Sequence, residues 1–282
     1  MYVITGITGK VGGALAHTLI KAGQPVRAVM RDATKATYWA DQGCDVAFAH
    51  MEDAQALTAA FKGAIGVFIL PPPGFDPLPG FPEARAVISA VSQALQAAGP
   101  KKVLCLSTIG AQAEPLNLLT QRTLMEQALG ALDMPVTFLR PAWFMENALY
   151  DVIAARETGV IHSFLQPLDK AVPMIATADI GAVAAQLLQQ DWTGQRVVEL
   201  EGEWVSPNDI ARTLAQLLQR DVRAEVVARD TWETLLRAQG AQNPMPRMRM
   251  VDGFNEGWIC FEHDKVLKGN TTLLTVLREL SH

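Results

Sequence analysis

The stretch "VITGITGKVGG", residues 3–13, decides the fold because three spaced glycines join a strand pattern to a helix pattern. Gly6 permits a tight turn, Gly9 lets the backbone approach a pyrophosphate, and Gly12 lets the helix lie close to the strand. The first turn of the helix offers free N–H groups and the positive end of its dipole to an anion. The stretch therefore predicts a dinucleotide-binding turn. The alternative is a tight strand–helix turn that binds no ligand.

The rest of the chain repeats this alternation of short apolar runs and helical patterns, which is typical of an α/β fold. Further strands are predicted at residues 26–30, 46–49, 65–70, 102–108, 136–140, 196–200 and 222–227. Their uninterrupted Val, Ile, Leu and Phe content indicates a parallel sheet covered on both faces. After residue 141 the pattern loosens. We expect a Rossmann-type, doubly wound domain over residues 1–141, completed by about 177–200, and a smaller lobe over most of 142–282.

Composition excludes several classes of function. The 282 residues carry a net charge of -5, which argues against a nucleic-acid surface. No apolar run is long enough to span a bilayer, and no secretory signal pattern precedes the glycines, so no membrane partner is expected. The three cysteines are scattered and lack metal-ligand spacing, so no metal site or disulfide is expected. These features predict a cytoplasmic protein with reduced thiols.

The end of the second strand distinguishes the two nicotinamide dinucleotides. It reads "VRAVMRDATK", residues 26–35, and places Arg31 where a cation pairs with the 2′-phosphate of NADP. Lys35 follows about one helical turn later. Asp32 has two interpretations, since it can cap the next helix or oppose a phosphate. The charges favour NADP(H) over NAD(H).

Five motifs occur in order along the chain: "GITGKVGG", "VRAVMRD", "VFILPPP", "LSTIGA" and "FLRPAWFMENAL". With them the chain resembles the NmrA-like family of atypical short-chain dehydrogenases/reductases, of the NAD(P)H:quinone oxidoreductase-like branch. "TADIGAVAAQLL" extends the resemblance weakly into the later part. The resemblance implies a nucleotide-binding Rossmann domain, a small and mostly α-helical lobe, and a substrate cleft between the two.

The motifs and the resemblance together give the candidate cofactor contacts. These are Gly6, Thr8, Gly9, Lys10, Val11, Gly12, Arg31, Lys35, His50, Met51, Leu70, Pro71, Ser107, Pro141, Trp143 and Phe144. His50 stands where the family often has an aspartate near the adenine amine. It is interpreted either as an adenine contact, with backbone at Met51 as a substitute, or as a surface histidine.

The catalytic pattern of many short-chain reductases, Tyr-x-x-x-Lys, is absent. When Glu126 is aligned with the glutamate that often follows the lysine, Arg122 stands at the position of the lysine and Leu118 at the position of the tyrosine. A leucine cannot donate a proton, so carbonyl reduction by that mechanism is not expected. Quinones and similar acceptors need little acid catalysis, because the ring stabilises the oxyanion that forms and positioning carries most of the effect.

Two residues remain as catalytic candidates, Ser107 and Arg122. Ser107 follows the fifth strand, where it can donate to a substrate oxygen or cap the strand end, and no general base is visible beside it in the sequence. Arg122 can hold ribose hydroxyls or stabilise oxyanion charge. Its alternative is a surface pair with Glu126 at i,i+4 spacing.

Residues 244–261 are rich in methionine and aromatic residues among glycines and prolines. Such a wall suits a flat apolar ligand, and the alternative is ordinary core of the small lobe. The candidate substrate contacts are Phe144, Asn147, Met250 and Trp258. If the segment is a lid, its amides should exchange more slowly when an aromatic ligand binds.

The sequence thus predicts an NADPH-dependent reductase of a quinone or similar planar, apolar acceptor that works without the Tyr–Lys pair. The alternative is a non-catalytic NADP sensor that binds a protein partner. A reductase or isomerase of specialised metabolism is a third possibility. The sequence carries no prediction of oligomeric state.

Overall fold

The computed structural model describes all residues from 1 to 282, and they form three sheets and eleven α-helices. The strands are β1 (Tyr2–Thr5), β2 (Val26–Met30), β3 (Asp45–Phe48), β4 (Gly66–Ile69), β5 (Val103–Leu106), β6 (Val136–Pro141), β7 (Trp143–Phe144), β8 (Val160–Ser163), β9 (Val172–Ile175), β10 (Gln195–Glu201), β11 (Trp204–Val205), β12 (Arg223–Val226) and β13 (Leu267–Lys268). The helices are α1 (Lys10–Lys21), α2 (Ala36–Asp41), α3 (Ala54–Phe61), α4 (Pro82–Ala98), α5 (Thr120–Gly130), α6 (Leu149–Glu157), α7 (Thr177–Gln189), α8 (Pro207–Leu218), α9 (Trp232–Ala238), α10 (Met245–Glu256) and α11 (Leu273–Leu280).

The main sheet has eight strands in the order β13-β10-β6-β5-β4-β1-β2-β3, and every neighbouring pair is parallel. The strand order reverses between β1 and β4, which is the topological switch point of a doubly wound fold. The predicted fold class is confirmed. In such sheets ligands bind at the carboxyl ends of the strands near the switch point, so the region after β1 and β4 is where a site is expected.

Two apolar clusters cover the faces of this sheet, as the apolar strand sequences require. One cluster joins the strands to α1 and α7, and the other joins them to α3, α4 and α5. Leu15, Leu19 and Ile180 in the first cluster, and Phe61 and Leu95 in the second, are fully buried. Since α7 and β10 belong to this assembly, the chain returns to the sheet after residue 176.

A third apolar cluster lies outside the sheet and is built by α6, α8, α9, α10 and α11 with two small sheets. The small sheets are β11-β9-β7 and β12-β8. The run "SPNDIARTLAQLLQR", residues 206–220, predicts a helix with Ser206 as N-cap and Pro207 at its first position, and both predictions are confirmed in α8. Ser206 also forms a capping box with Asp209. This third cluster borders the carboxyl side of β5 and β6.

One strand of the main sheet had no sequence signal. Leu267 and Lys268 pair with the end of β10 as β13, and both are exposed. A two-residue, solvent-facing strand has neither an apolar run nor an alternation that would reveal it. No helix of the chain combines the length and apolar content that crossing a membrane requires.

Candidate functional site

The glycine turn after β1 has the tight geometry that its spacing predicts. Gly6 adopts φ +64°, in the left-handed region that favours glycine. A Cβ added to Gly12 would lie 2.3 Å from the carbonyl oxygen of Gly6 and 2.9 Å from Cα of Ile7. Because both neighbours are backbone atoms, no side chain fits at Gly12 without moving the turn.

The N-terminus of α1 leaves backbone donors free for an anion. Gly9 caps the helix without a side chain, and its N–H donates to the Gly6 carbonyl at 3.0 Å. The N–H groups of Lys10, Val11 and Gly12 have no acceptor within the protein. Thr8, Gly9 and Lys10 are solvent-exposed. Free donors and the positive end of a helix dipole fit a dinucleotide diphosphate.

Two cationic side chains lie on the surface just after the end of β2. Arg31 and Lys35 are exposed and neither forms a salt bridge, so both are available to a phosphate. Asp32 accepts hydrogen bonds from the Thr34 N–H at 2.9 Å and from the Thr34 hydroxyl at 2.7 Å. These bonds lower the pKa of Asp32. Of its two interpretations, the structure therefore selects the helix cap.

A hydroxyl clip joins the ends of β1 and β4 at the switch point. Thr5 Oγ1 donates to the Phe68 carbonyl at 3.0 Å and accepts from the Leu70 N–H at 2.8 Å. The side chain of Leu70 packs directly on Gly6, since an added Cβ there would lie 2.5 Å from Leu70 Cδ2. Thr5 is fully buried. A polar residue at the end of an otherwise apolar strand was the only sequence signal for this clip.

Arg122 on α5 reaches the proline run after β4. Its Nη2 donates to the carbonyls of Pro71 and Pro72 at 3.4 and 3.3 Å. It has no carboxylate partner, and burial lowers the pKa of its guanidinium. Nε and Nη1 have no acceptor in the protein and are not sealed from solvent. The site thus contains a desolvated cation whose Nε and Nη1 donors are unused within the protein.

The predicted Arg122–Glu126 pair is wrong, because Glu126 is occupied by Arg140 from β6. Arg140 donates from Nε to Glu126 Oε1 at 2.9 Å and from Nη2 to Oε2 at 2.7 Å. The two side chains are only 6% and 11% exposed. Their positions are 14 residues apart on different elements, so helical spacing could not indicate the pair.

Ser107 is part of the same network. Its Oγ donates to Glu126 Oε1 at 2.5 Å. A carboxylate therefore does lie beside Ser107, contrary to the sequence expectation that no general base is near. Both oxygens of Glu126 also accept from Arg140, so the carboxylate is already engaged in a bidentate ion pair. The Ser107 proton is engaged by Glu126, which leaves the Ser107 oxygen free to accept a hydrogen bond.

Arg140 also ties a late segment of the chain to the sheet. Its Nη1 donates to Glu262 at 2.5 Å and to Gln112 Oε1 at 3.2 Å. Gln112 in turn donates to the Cys260 carbonyl at 2.8 Å. Residues 260–262 are thereby held against the loop that follows β5.

Leu118 stands at the position that aligns with the tyrosine of other short-chain reductases, and its side chain is buried. Its N–H donates to the Pro246 carbonyl at 2.8 Å. The three tyrosines lie elsewhere: Tyr2 on β1, Tyr38 on α2 beside His17, and Tyr150 on α6 with 80% of its surface exposed. No phenol occupies the position from which one would protonate a carbonyl oxygen.

The residues predicted to border the nicotinamide follow β6. Trp143 and Phe144 form β7 and are half-buried, and the Trp143 ring meets Phe254 edge-to-face at 5.0 Å. Pro141 is buried at the end of β6, while Asn147 is exposed in the next 3-10 helix. His50, after β3, is exposed and makes no side-chain hydrogen bond, so neither of its two interpretations is selected.

Residues 244–261 form helix α10 and the turn after it rather than an open wall. Met248, Phe254 and Ile259 are buried in the third apolar cluster. Met250 and Trp258 pack against that cluster half-buried, and Trp258 Nε1 donates to Glu256 at 2.7 Å. The interpretation as core of the small lobe accounts for most of the segment.

Known proteins resemble this chain in both sequence and fold. The model of the NmrA-like family matches residues 2–257. Quinone oxidoreductase 2 of Escherichia coli (strain K12) is 31% identical over 77% of this chain and 72% of its own. NAD(P)H azoreductase of Xenophilus azovorans is 27% identical over 91% and 85%. The crystal structure of NADPH-dependent quinone oxidoreductase from E. coli with NADPH superposes with a TM-score of 0.84, at 26% identity, covering 99% of both chains.

Proposed function

The chain belongs to the NmrA-like family, and from this premise we propose that it is an NADPH-dependent reductase of quinones or similar planar aromatic acceptors. One observation carries the proposal: free helix-start N–H groups and two unpaired cations share one edge of the sheet with Arg122, which has no carboxylate partner, and a leucine stands at position 118. The relatives named quinone oxidoreductase and azoreductase support the substrate class. Because these relatives are named as enzymes, the non-catalytic sensor is not favoured.

NADPH, when bound, supplies the hydride. The Gly6–Gly12 turn and the start of α1 hold its diphosphate, and Arg31 with Lys35 holds the 2′-phosphate. Leu70, Pro71, Pro141, Trp143 and Phe144 border the nicotinamide end. Leu70 and Pro71 follow β4, whereas Pro141, Trp143 and Phe144 lie at and after the end of β6, so the assignments share the carboxyl edge of the sheet.

Arg122 stabilises the oxygen of the acceptor. A quinone that gains hydride carries negative charge on oxygen, and the free Nε and Nη1 donors of Arg122 can bind that oxygen. A cation in a poorly solvated site acts more strongly than one in water. Ser107 is a positioning group, because its proton is engaged by Glu126 and its oxygen is left to accept a hydrogen bond.

The same proposal divides the chain by task. Residues 1–141 with about 177–200 form the cofactor-binding domain, which also supplies Ser107 and Arg122 to the acceptor site, and most of 142–282 forms the smaller lobe that completes that site. All three cysteines are free thiols, with Cys260 exposed, which suits a reducing compartment such as the cytoplasm.

The test is NADPH oxidation, followed by loss of nicotinamide absorbance, with a panel of quinones and an azo dye. We expect turnover with NADPH, and a kcat lowered about 100-fold in Arg122→Met but partly retained in Arg122→Lys. Arg278→Met on α11 is the matched control, because Arg278 is exposed and its side chain makes no hydrogen bond, and it should leave kcat unchanged. Equal affinity for NADP⁺ and NADPH without turnover of any acceptor would favour the sensor instead.

A further inference from the structure

The loop after β4 is unusually stiff for its length. Five of its ten residues, 71–80 ("PPPGFDPLPG"), are proline; we call this segment the proline flap. Proline locks φ, so the flap loses little backbone entropy when it adopts one shape. It begins at the carboxyl end of β4, beside the switch point, and its first carbonyls bind Arg122 of the proposed acceptor site.

Helix α5 anchors the first half of the flap. Arg122 binds the carbonyls of Pro71 and Pro72, and the adjacent Gln121 donates from Nε2 to the Gly74 carbonyl at 2.9 Å. Gln121 is buried, so this bond is shielded from water.

The loop before α10 anchors the second half. The two oxygens of Asp76 accept from the N–H groups of Gln242 and Asn243, each at 2.7 Å. Asn243 Nδ2 donates to the Pro77 carbonyl at 2.8 Å. The donors lie 166 and 167 residues from Asp76 in sequence, so the flap bridges the main sheet and the third apolar cluster.

Four large apolar side chains stay exposed on the three segments that meet here. Phe75 is 68% exposed and Leu78 is 50% exposed on the flap. Leu116, in the loop after β5, is 58% exposed, and Met245, at the start of α10, is 47% exposed. We call these four residues the apolar rim. The bond from the Leu118 N–H to the Pro246 carbonyl holds the last two segments together.

We propose that the apolar rim is an outer subsite for the distal rings of an extended aromatic acceptor, and that Asp76 is the residue that positions it. This inference rests on the proposed function, because the same crevice must bind the reacting ring. The flap joins the rim to Arg122, because Gln121, the neighbour of Arg122 on α5, binds the Gly74 carbonyl next to Phe75. A rigid apolar surface of this kind can bind a flat ring system with little cost of ordering. A one-ring acceptor is too short to reach the rim.

Steady-state kinetics with benzoquinone, which has one ring, and phenanthrenequinone, which has three, test the proposal. Phe75→Ala should raise the KM for phenanthrenequinone about fivefold to tenfold, with kcat and the KM for benzoquinone changed less than about twofold. Phe48→Ala, which truncates an equally large exposed ring on β3, is the matched control and should change neither KM.

Asp76→Asn tests the positioning role. It should raise the KM for phenanthrenequinone about threefold at unchanged kcat, and speed hydrogen exchange at the amides of Gln242 and Asn243. An unchanged KM despite faster exchange would mean that Asp76 serves the fold alone and would overturn its assigned role.

Three results overturn the outer subsite: no change in either KM, an equal rise in both, or a wild-type dimer that Phe75→Ala dissociates without affecting KM. The last would make the rim a contact between copies. If the wild type turns over neither quinone, the proposed function fails separately. In that case, binding of phenanthrenequinone to the NADP⁺-saturated protein tests the outer subsite. Equal dissociation constants for wild type and Phe75→Ala would reject the apolar rim as a binding site.

Discussion

The proposed cofactor end and the proposed acceptor end of the site are built in different ways. The cofactor end comes from contiguous stretches, residues 5–12 and 30–35, and offers mainly backbone N–H groups and exposed cations. The acceptor end draws side chains from the loops and strands around residues 71–80, 107–126, 140–144 and 242–262. One end depends on the conformation of a short chain segment, and the other depends on which distant side chains meet.

This difference predicts how each end fails. A backbone site is damaged by adding atoms, because there is no room for them next to Gly12. A side-chain network is damaged by removing charge, because the partner left behind is buried and uncompensated. Substitutions of both kinds therefore distinguish the two ends.

The largest effect is expected at the acceptor end. Arg140→Ala leaves Glu126, which is 11% exposed, without its ion pair, so the free energy of unfolding should fall by about 3–5 kcal/mol in urea titrations. Arg223→Ala breaks an ion pair with Glu225 whose partners are 69% and 45% exposed, and should cost less than about 1 kcal/mol. Equal losses of unfolding free energy in Arg140→Ala and Arg223→Ala would contradict the claim that the buried ion pair matters more than the exposed one.

At the cofactor end, Gly12→Ala places a Cβ 2.3 Å from the Gly6 carbonyl oxygen and should weaken NADPH binding on the order of 100-fold by calorimetry. Gly13→Ala is the control, because its nearest neighbour, the Ile7 carbonyl oxygen, lies at 3.4 Å. This control should bind normally and gain up to about 1 kcal/mol of helix stability. Wild-type affinity in Gly12→Ala would contradict the claim that diphosphate binding requires α1 to lie close against the glycine turn.

A smaller change in affinity is expected at Arg31, and it distinguishes NADPH from NADH. Arg31→Ala removes one exposed cation, so the affinity for NADPH should fall about tenfold while that for NADH stays the same. Titrations with both cofactors check this. Thr37→Ala, an exposed change on α2, should alter neither affinity. Equal NADPH affinity in wild type and Arg31→Ala would refute the 2′-phosphate assignment.

The smallest expected effect is on the free energy of unfolding, and it concerns Asp151, a carboxyl that has no partner, in contrast to the paired Glu126. Burial raises the pKa of Asp151 on α6 to about 6. A carboxyl whose pKa is higher in the folded than in the unfolded chain binds more protons when folded, so it lowers stability as the pH rises from about 4 to 6. Asp151→Asn should remove that slope and stabilise the fold at pH 7 by about 1 kcal/mol, after allowance for its partial exposure.

Melting temperatures across this pH range check the Asp151 prediction. The wild type should lose stability relative to Asp151→Asn as the pH rises. Parallel curves for the two proteins would show that Asp151 ionises at its ordinary pKa in the folded chain.

Local rules succeeded where the interaction lies within one turn of chain. The Ser206 cap and the helix-capping alternative for Asp32 are both of this kind. The i,i+4 rule failed for Glu126, because a stronger bidentate partner, Arg140, arrives from the adjacent strand. Local spacing offers no information about a competitor on another element.

The sequence by itself determined the α/β class and the family, and it predicted the cofactor end, because glycine spacing and apolar periodicity act through the local backbone. Only the tertiary structure decided that Glu126 engages Ser107 and Arg140, that Arg122 stays without a carboxylate, and that Asp76 binds amides 166 and 167 residues away. Side chains of a parallel sheet's loops meet only after the strands have been ordered, so their partners depend on topology rather than on neighbouring residues.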